Sequence, residues 1–565
     1  MTTKRWVTPP PDEQKQLLFS RELGLSPVTA QVLINRGIDD AAAAAAFLAC
    51  RTADLIDPFR LTGMREAVAR IRAAMSGGET IVIYGDYDVD GLTATALLAR
   101  LFTGQGARVR TYIPHRVEEG YGLNIQACSR LRREGASLLI TVDCGISAFA
   151  EIAACRAEGL DVIVTDHHRP AEQRVPDALA VINPLQPGCE YPYKHLAGVG
   201  LAFKVAEAVC GAAAAAEYLD LVALGTISDV APLTGENRIL VRSGLRALSV
   251  AAKTGLRALM DIAGIRDQEL TCRHVAFMIG PRLNATGRMG SAERALRLLL
   301  SDDPAESLGL AQELDKENRE RQRLEAKTLR EALEMIEAGV NFTQSRSVVL
   351  HHEQWHPGVI GIVASRIAER YNRPTILISS AEQIAKGSGR SIRNFHLFDA
   401  LAQCGHLLEG FGGHEKAAGL TIDKENLADF QQAFNETASN ILAPHDLIPV
   451  IDADMEIPLG VLSESLLADL DRCAPFGVGN PRPVFISRGV RRKDRPRPAG
   501  PGGSIKLWLT DGRATCAAYT DRFSSLECPA AQAECAIIYT PSLNVRQGIT
   551  TIQLQLKDLH FAPAE

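Results

Sequence analysis

Four short segments constrain this chain more than anything else in it: YGDYDVDG at 84–91, TVDCG at 141–145, TDHH at 165–168 and ISDVAP at 227–232, each closing an apolar run. The runs before the first three, IVIY at 81–84, LLITV at 138–142 and VIVT at 162–165, are short and rich in β-branched residues, which predicts strands. Helix-like stretches at 93–102 and 148–159 separate them, so the order is β-α-β-α. Alternation of this kind predicts an α/β fold with a parallel sheet, whose strands open at their carboxyl ends onto one crevice. Asp86, Asp88, Asp90, Asp143, Asp166, His167 and His168 are therefore expected to converge, although they are distant in sequence.

Aspartate also favours turns and helix N-caps through local hydrogen bonds, so any one of these residues alone reads as a turn residue. Gathered in one crevice, unpaired carboxylates repel by about 4 kcal/mol per pair at 4 Å with an effective dielectric near 20. A bound cation is the simplest remedy. The mixed oxygen and imidazole set suits a catalytic ion such as Mn²⁺, and Mg²⁺ less well, because Mg²⁺ prefers water and few carboxylates. Asp86, Asp88 and Asp90 alternate within a loop where Gly85 and Gly91 permit tight bends. An EF-hand loop also begins with alternating Asp, but its twelfth position must be a glutamate; counted from Asp86, that place is Leu97.

The four motifs match, in order and content, those of the DHH phosphoesterase superfamily, which this chain resembles; the naming triplet stands here as Asp166, His167 and His168. The resemblance implies two divalent metal ions, Mn²⁺ or Mg²⁺. By position, Asp86 and Asp88 would hold one ion, Asp90, His167 and Asp229 the other, and Asp143 would bridge them. Asp166 and His168 are the catalytic assignments, with His168 facing the scissile phosphate. Superfamily members that split pyrophosphate carry a histidine four residues before the position of Asp88. Tyr84 stands there instead, which weakens a pyrophosphatase reading and leaves Asp86 to supply the ligand.

A length of 565 residues suggests three or four domains with ample core. The N-terminal MTTKRWVTPPPDEQ lacks an apolar h-region and no uninterrupted 18-residue apolar stretch follows, so the expectation is a cytoplasmic protein with no membrane partner. Twelve cysteines are scattered without a CxxC pair, which argues against a zinc site or a disulfide framework. The net charge of −6 does not announce a nucleic-acid binder, but local patches matter more than the total. Residues 488–497 carry six basic residues and one acid, and their prolines and glycines suggest an exposed loop. The alanine runs at 41–46 and 212–216 read as helix formers without an assigned function.

From Pro304 to about Val340 the chain is charged and rich in Leu, Ala, Glu and Arg, with amphipathic spacing at Leu314, Leu324, Leu329 and Leu333. This predicts a long connecting helix; about 30 residues would span roughly 45 Å. Beyond it lie WHPGVIGIVASRIAER at 355–370, GSGRSI at 387–392 and FGGHEKAAG at 411–419, the last resembling the signature of the DHH-associated domain. A glycine-rich turn there, with Gly389 in it, would present backbone N–H groups to phosphate, and Ser388, Arg390 and His414 would add donors. Trp355, Phe395 and Phe398 read either as core or as base-stacking residues.

Two further segments, PRLNATGRM at 281–289 and APFGVGNPRPVF at 474–485, resemble the RecJ-type single-strand-specific exonucleases within that superfamily. Apolar alternation after about Asp452 suggests a β-rich module, and its position and size fit that family's OB-fold. The resemblance covers nearly the whole chain. It implies an N-terminal segment at 1–55, a catalytic domain at 56–260, a helical connector at 261–343, an α/β DHH-associated domain at 344–446 and an OB-fold at 447–565. The function so implied is 5′→3′ removal of mononucleotides from single-stranded DNA in recombination and repair, with a single-strand-binding protein and a helicase as partners. Arg116, Ser388 and Arg390 would recognise the 5′-terminal phosphate, while Arg282, Asn284 and His414 approach the strand. The alternatives are a phosphodiesterase for oligoribonucleotides or cyclic dinucleotides, and a binding module that has lost catalysis; retention of all six ligand positions argues against the latter.

Overall fold

The computed structural model describes residues 4–115, 119–120, 122–250, 253–499, 504–520, 533–546 and 548–561. Its backbone divides into two compact units, Thr8–Asp315 with Ala453–Glu565, and Lys316–Asp452 with the N-terminal strand Arg5–Val7.

The first unit is built on β1 (Thr80–Tyr84), α1 (Val89–Gly104), β2 (Arg108–Tyr112), β3 (Ala136–Val142), α2 (Phe149–Ala157), β4 (Asp161–Thr165) and β5 (Ala180–Ile182). The sheet order is β2-β1-β3-β4-β5 and every pairing is parallel. Because side chains alternate across a strand, each strand feeds two cores. Ile81, Ile83, Leu138, Ile140 and Ile163 enter the larger one, whereas Val82, Leu139, Val162 and Val164 enter the smaller. Burial on both faces explains why these strands read as continuous apolar runs.

The larger core is completed by α3 (Gly198–Cys210), α4 (Leu219–Ser228) and α5 (Gly235–Val250). It also takes Leu256, Ile279, Leu283 and Leu298. The stretch from 261 to 300, including α6 (Gly280–Met289), thus packs with the parallel sheet, and the connecting helix itself is α7 (Pro304–Gly339). Of the four leucines proposed for its apolar stripe, only Leu314 is fully buried. The buried stripe runs instead through Asn318, Arg321, Glu325 and Thr328, and Arg321 and Arg366 both pair with Glu325.

The second unit contains β6 (Val348–His352), α8 (Pro357–Tyr371), β7 (Thr375–Ser379), β8 (Ile384–Arg390), β9 (Gly410–Gly413), β10 (Ala417–Asp423) and α9 (Leu427–Ile441). Its sheet order is β9-β10-β8-β7-β6, with only β6 and β7 parallel. One face packs on α8 and the other on Phe430 and Phe434 of α9. Ser388, Gly389 and Arg390, expected in a turn, lie on strand β8. Glycine there permits close packing, since a Cβ on Gly389 would stand 3.0 Å from Leu397 Cδ2. Trp355 and Phe395 are core residues, 2% and 1% exposed, and Trp355 Nε1 donates to Glu331.

After α10 (Glu464–Asp471), the first unit resumes as β11 (Phe485–Arg492), β12 (Ile505–Thr510), β13 (Thr515–Thr520), β14 (Glu534–Arg546) and β15 (Ile549–Phe561). The order β11-β14-β15-β13-β12 closes through a β12–β11 pairing, giving a five-stranded barrel. The basic run at 488–497 is therefore not one exposed loop. It begins on β11 and ends on the short strand Arg497–Pro498, and Arg488, Arg491 and Arg497 are paired with Glu456, Glu534 and Asp494. The described cysteines are all free thiols, most of them buried. Among the described residues no helix is long and apolar enough to cross a membrane.

Candidate metal centre

The loop after β1 carries Asp86, Asp88 and Asp90 and is shaped by the start of α1. Asp88 is the N-cap, its Oδ1 accepting from the backbone N–H of Asp90 (2.9 Å) and Gly91 (3.2 Å). Gly91 lets the loop fold back on itself, because a Cβ there would lie 2.8 Å from Asp86 Cα. Asp90 points the other way, into the start of α3, where the N–H groups of Gly198 (2.6 Å) and Val199 (2.8 Å) donate to its two oxygens. The positive end of that helix holds a fully buried carboxylate.

Asp143, at the end of β3, has φ +62°, a left-handed conformation rare outside glycine. Such strain clusters where function over-determines the backbone. At the end of β4, Asp166 accepts from Ile146 N–H (2.9 Å) and His168 N–H (3.0 Å), and its Oδ1 stands 2.7 Å from His168 Nδ1. Asn183 donates to the His168 carbonyl (2.8 Å), fixing that residue from the other side. His167 Nε2 lies 3.1 Å from Asp143 Oδ1 and 4.0 Å from Asp90 Oδ2.

Asp229 caps α4 in a Schellman turn: Val230 N–H donates to Ile227 C=O (3.2 Å) and Ala231 N–H to Thr226 C=O (3.2 Å). The left-handed position, usually glycine, is Val230 at φ +61°. A β-branched residue there costs about 1–2 kcal/mol.

Candidate ligand atoms fall into three groups, each within 4.8 Å: Asp86, Asp88 and Asp143; Asp90, His167 and Asp229; Asp143, His167 and His168. Asp143 belongs to two of them. Electrostatics agrees with the need for a cation. Burial, then the charges of Asp90 and Asp88, push Asp143 well above the usual carboxylate range. Burial and Asp90 raise Asp229 to about 7, and burial also raises Asp90. Burial would lower His168, but its hydrogen bond to Asp166 and that residue's charge prevail and raise it to about 9. Carboxylates and imidazoles in this proportion fit divalent ions of the Mn²⁺ class.

Tyr84, at the place of the pyrophosphatase histidine, is buried and its hydroxyl donates to Gly122 C=O (3.0 Å), so it is no ligand. Asn284 accepts from Val89 N–H (3.2 Å) and thereby braces the Asp88 loop, while Arg282 is paired with Asp315 (2.9 Å). Arg116 lies outside the described residues. In the second unit, Arg390 donates to Ser388 Oγ (3.1 Å) and Gly389 C=O (2.7 Å) and has no carboxylate partner among the described residues. Burial alone depresses its pKa. His414, in the β9–β10 connection, is exposed.

Sequence reasoning missed the Gly198 and Val199 amides, whose one signal is a GVG at a helix start. It also missed Lys506, Trp508 and Tyr519 on the barrel. Lys506 Nζ stands 4.9 Å from the Trp508 ring centroid and 5.6 Å from that of Tyr519, and Lys493 N–H donates to Trp508 C=O (2.8 Å).

A parallel sheet with these ligand groups at its carboxyl edge defines a phosphoesterase of the DHH class, and the comparisons agree. The DHH family N-terminal domain matches residues 80–226, the DHHA1 domain 342–440 and the RecJ OB domain 453–558. The single-stranded-DNA-specific exonuclease RecJ of Bacillus subtilis is 43% identical over 86% of this chain, which spans 62% of that protein's length. The enzyme of the same description from Dickeya dadantii is 38% identical over 77% of this chain and 79% of its own. A crystal structure of RecJ in complex with Mn²⁺ from Thermus thermophilus superimposes with a TM-score of 0.85 at 33% identity, covering 99% of this chain and 80% of that one. The chain belongs to the RecJ family of DHH phosphoesterases.

Proposed function

We propose that this chain is a metal-dependent exodeoxyribonuclease that removes 5′-mononucleotides from single-stranded DNA, working from the 5′ end. The observation that carries the reading is the shared Asp143, which belongs to a ligand group with Asp86 and Asp88 and to another with His167. In this reading Asp86 and Asp88 would hold one ion and Asp90, His167 and Asp229 the other, with Asp143 available to both. When bound, two Mn²⁺ or Mg²⁺ ions supply Lewis-acid stabilisation of the phosphate and a lowered water pKa.

The chain's own residues do the positioning. Asp166 fixes the His168 ring and keeps it cationic at neutral pH, so that it can donate to a phosphate oxygen or to the departing O3′. Cys144 is buried with its thiol pushed well up, so it is no nucleophile, and hydrolysis proceeds by direct attack of water. Arg390, bonded to Ser388 and with no carboxylate partner among the described residues, offers a guanidinium suited to a 5′-terminal phosphate. Lys506, Trp508 and Tyr519, beside Lys493, form a cationic stacking platform of the kind that binds single strands. A single-strand-binding protein and a helicase are the partners this activity calls for, in DNA recombination and repair.

The test is hydrolysis of 5′-labelled and 3′-labelled DNA and RNA, single- and double-stranded, with Mn²⁺, Mg²⁺ or chelator. Labelled mononucleotide should appear first from the 5′ label, on single-stranded DNA alone. Release from short RNA in preference to DNA would favour the oligoribonucleotide reading.

A further inference from the structure

The turn that carries Asp229 is braced by a segment distant in sequence. Leu233 N–H donates to Val478 C=O at 2.7 Å. Leu233 is 2% exposed, and a Cβ on Gly477 would lie 2.7 Å from its Cδ1. Gly479, at φ +74°, would place a Cβ 3.0 Å from Thr234 Cγ2 and 3.4 Å from Pro232 Cβ. The bracing segment, 476–480, is itself fixed. Gly477 and Asn480 exchange backbone hydrogen bonds, and Asn480 Nδ2 donates to the carbonyls of Cys473 (2.9 Å) and Pro475 (2.8 Å). Arg238, 2% exposed and on α5 just after the Asp229 turn, donates to the carbonyls of Cys473 (2.7 Å) and Ala474 (2.9 Å). Within the catalytic fold, Tyr193 Oη and Asn237 Nδ2 each donate to Pro232 C=O at 3.1 Å.

We infer that residues 476–480, which lead into the barrel, act as a clasp that positions Asp229 for metal by holding Val230 in its left-handed conformation. The inference rests on the reading of Asp229 as a ligand. A Schellman turn with glycine at the left-handed position forms unaided; with valine it opposes its own backbone preference, and something must hold it. Among the described residues, the Val478 carbonyl is the backbone partner that residues 229–234 find outside the catalytic α/β fold. The clasp is therefore a positioning element. The same backbone ties the barrel to the ligand turn, so the two stabilise each other reciprocally.

Mn²⁺ binding to the whole chain tests this, followed by calorimetry and by loss of the free-ion paramagnetic resonance signal. Asp229→Asn identifies the ion that depends on Asp229. Gly477→Val should weaken that same ion about tenfold and leave the other unchanged, and Gly477→Ala serves where valine prevents folding. Adding Val230→Gly should restore most of the loss, because the turn then forms without the clasp. In the unsubstituted protein, Mn²⁺ should slow amide exchange at 476–480 as well as at 229–234. Unchanged exchange at 476–480, equal weakening of both ions, or no rescue by Val230→Gly would overturn the inference alone. Wild-type Mn²⁺ binding by Asp229→Asn would overturn the ligand reading as well.

Discussion

Asp229→Asn should make the metal-free protein more stable at neutral pH while weakening its response to metal. The folded-state pKa of Asp229 is about 7 against an ordinary value of 3.8, with burial the main cause and Asp90 the next. A raised pKa in the folded state means that this group's contribution is fully present below the unfolded value and is lost as pH rises through about 7. Three pH units correspond to about 4 kcal/mol. An asparagine never ionises, so the variant should gain nothing near pH 4, pull ahead as pH rises, and level off above about pH 7 some 4 kcal/mol ahead, less whatever the site relaxes. With Mn²⁺ most of that lead should disappear. An ion at 100 times its dissociation constant stabilises by about 2.7 kcal/mol, and the variant should forfeit most of that for one ion. The assay is thermal unfolding in chelator and in Mn²⁺ at several pH values. A variant no more stable than wild type at pH 8 in chelator, or a gap that is the same at pH 4 and pH 8, would refute the crowded-carboxylate reasoning.

Asp143→Ala should fold and lose about 10⁴-fold in turnover, roughly 5.5 kcal/mol of transition-state stabilisation, measured as single-turnover hydrolysis with saturating metal. Asp166→Asn removes the hydrogen bond and charge that raise His168 to about 9; the alkaline limb of the rate profile should move toward neutral pH, and an unmoved limb would detach His168 from it. Arg390→Ala should abolish preference for a 5′-phosphate over a 5′-hydroxyl in competition assays, with little change on the hydroxyl substrate. Neutralising Arg492, Lys493 and Arg495, which have no acidic partner among the described residues, should flatten log affinity against log salt by about two units on long DNA; an unchanged slope would mark the run as solvated surface.

The candidate metal centre was readable because the residues proposed as its ligands close strands. An aspartate after a buried apolar run has its direction set by the parallel sheet, so Asp86, Asp143 and Asp166 follow from pattern alone, and the adjacent His167 and His168 with them. What the pattern could not supply is pairing across sequence. Arg488 and Arg491 looked like a free cationic loop because Glu456 and Glu534 lie 32 and 43 residues away and meet them across strands. Gly387 and Gly389 looked like a turn because close strand packing and tight turns select the same residue. The Asp90 clamp was invisible for another reason: its donors are main-chain N–H groups, which every sequence possesses.

That clamp bears on why this site needs cations. Asp90 and Asp166 are held chiefly by backbone donors and one histidine, and Asp88 by the N–H groups it caps. These bonds fix direction while cancelling only part of the charge. Six carboxylates face at most two imidazolium groups, which leaves a deficit of four charges in a largely buried space. Protonation closes that deficit without metal, as the raised Asp143 and Asp229 indicate. Two divalent ions take the place of those protons: with His167 neutral as a ligand and His168 cationic, they reduce six negative charges to a net of about one. Metal binding must therefore release protons, and apparent affinity should rise with pH until Asp229 is fully ionised. A single ion would leave about half the deficit to protons, so a binding isotherm with one ion per chain and no proton release at pH 7 would be incompatible with this arrangement of charges.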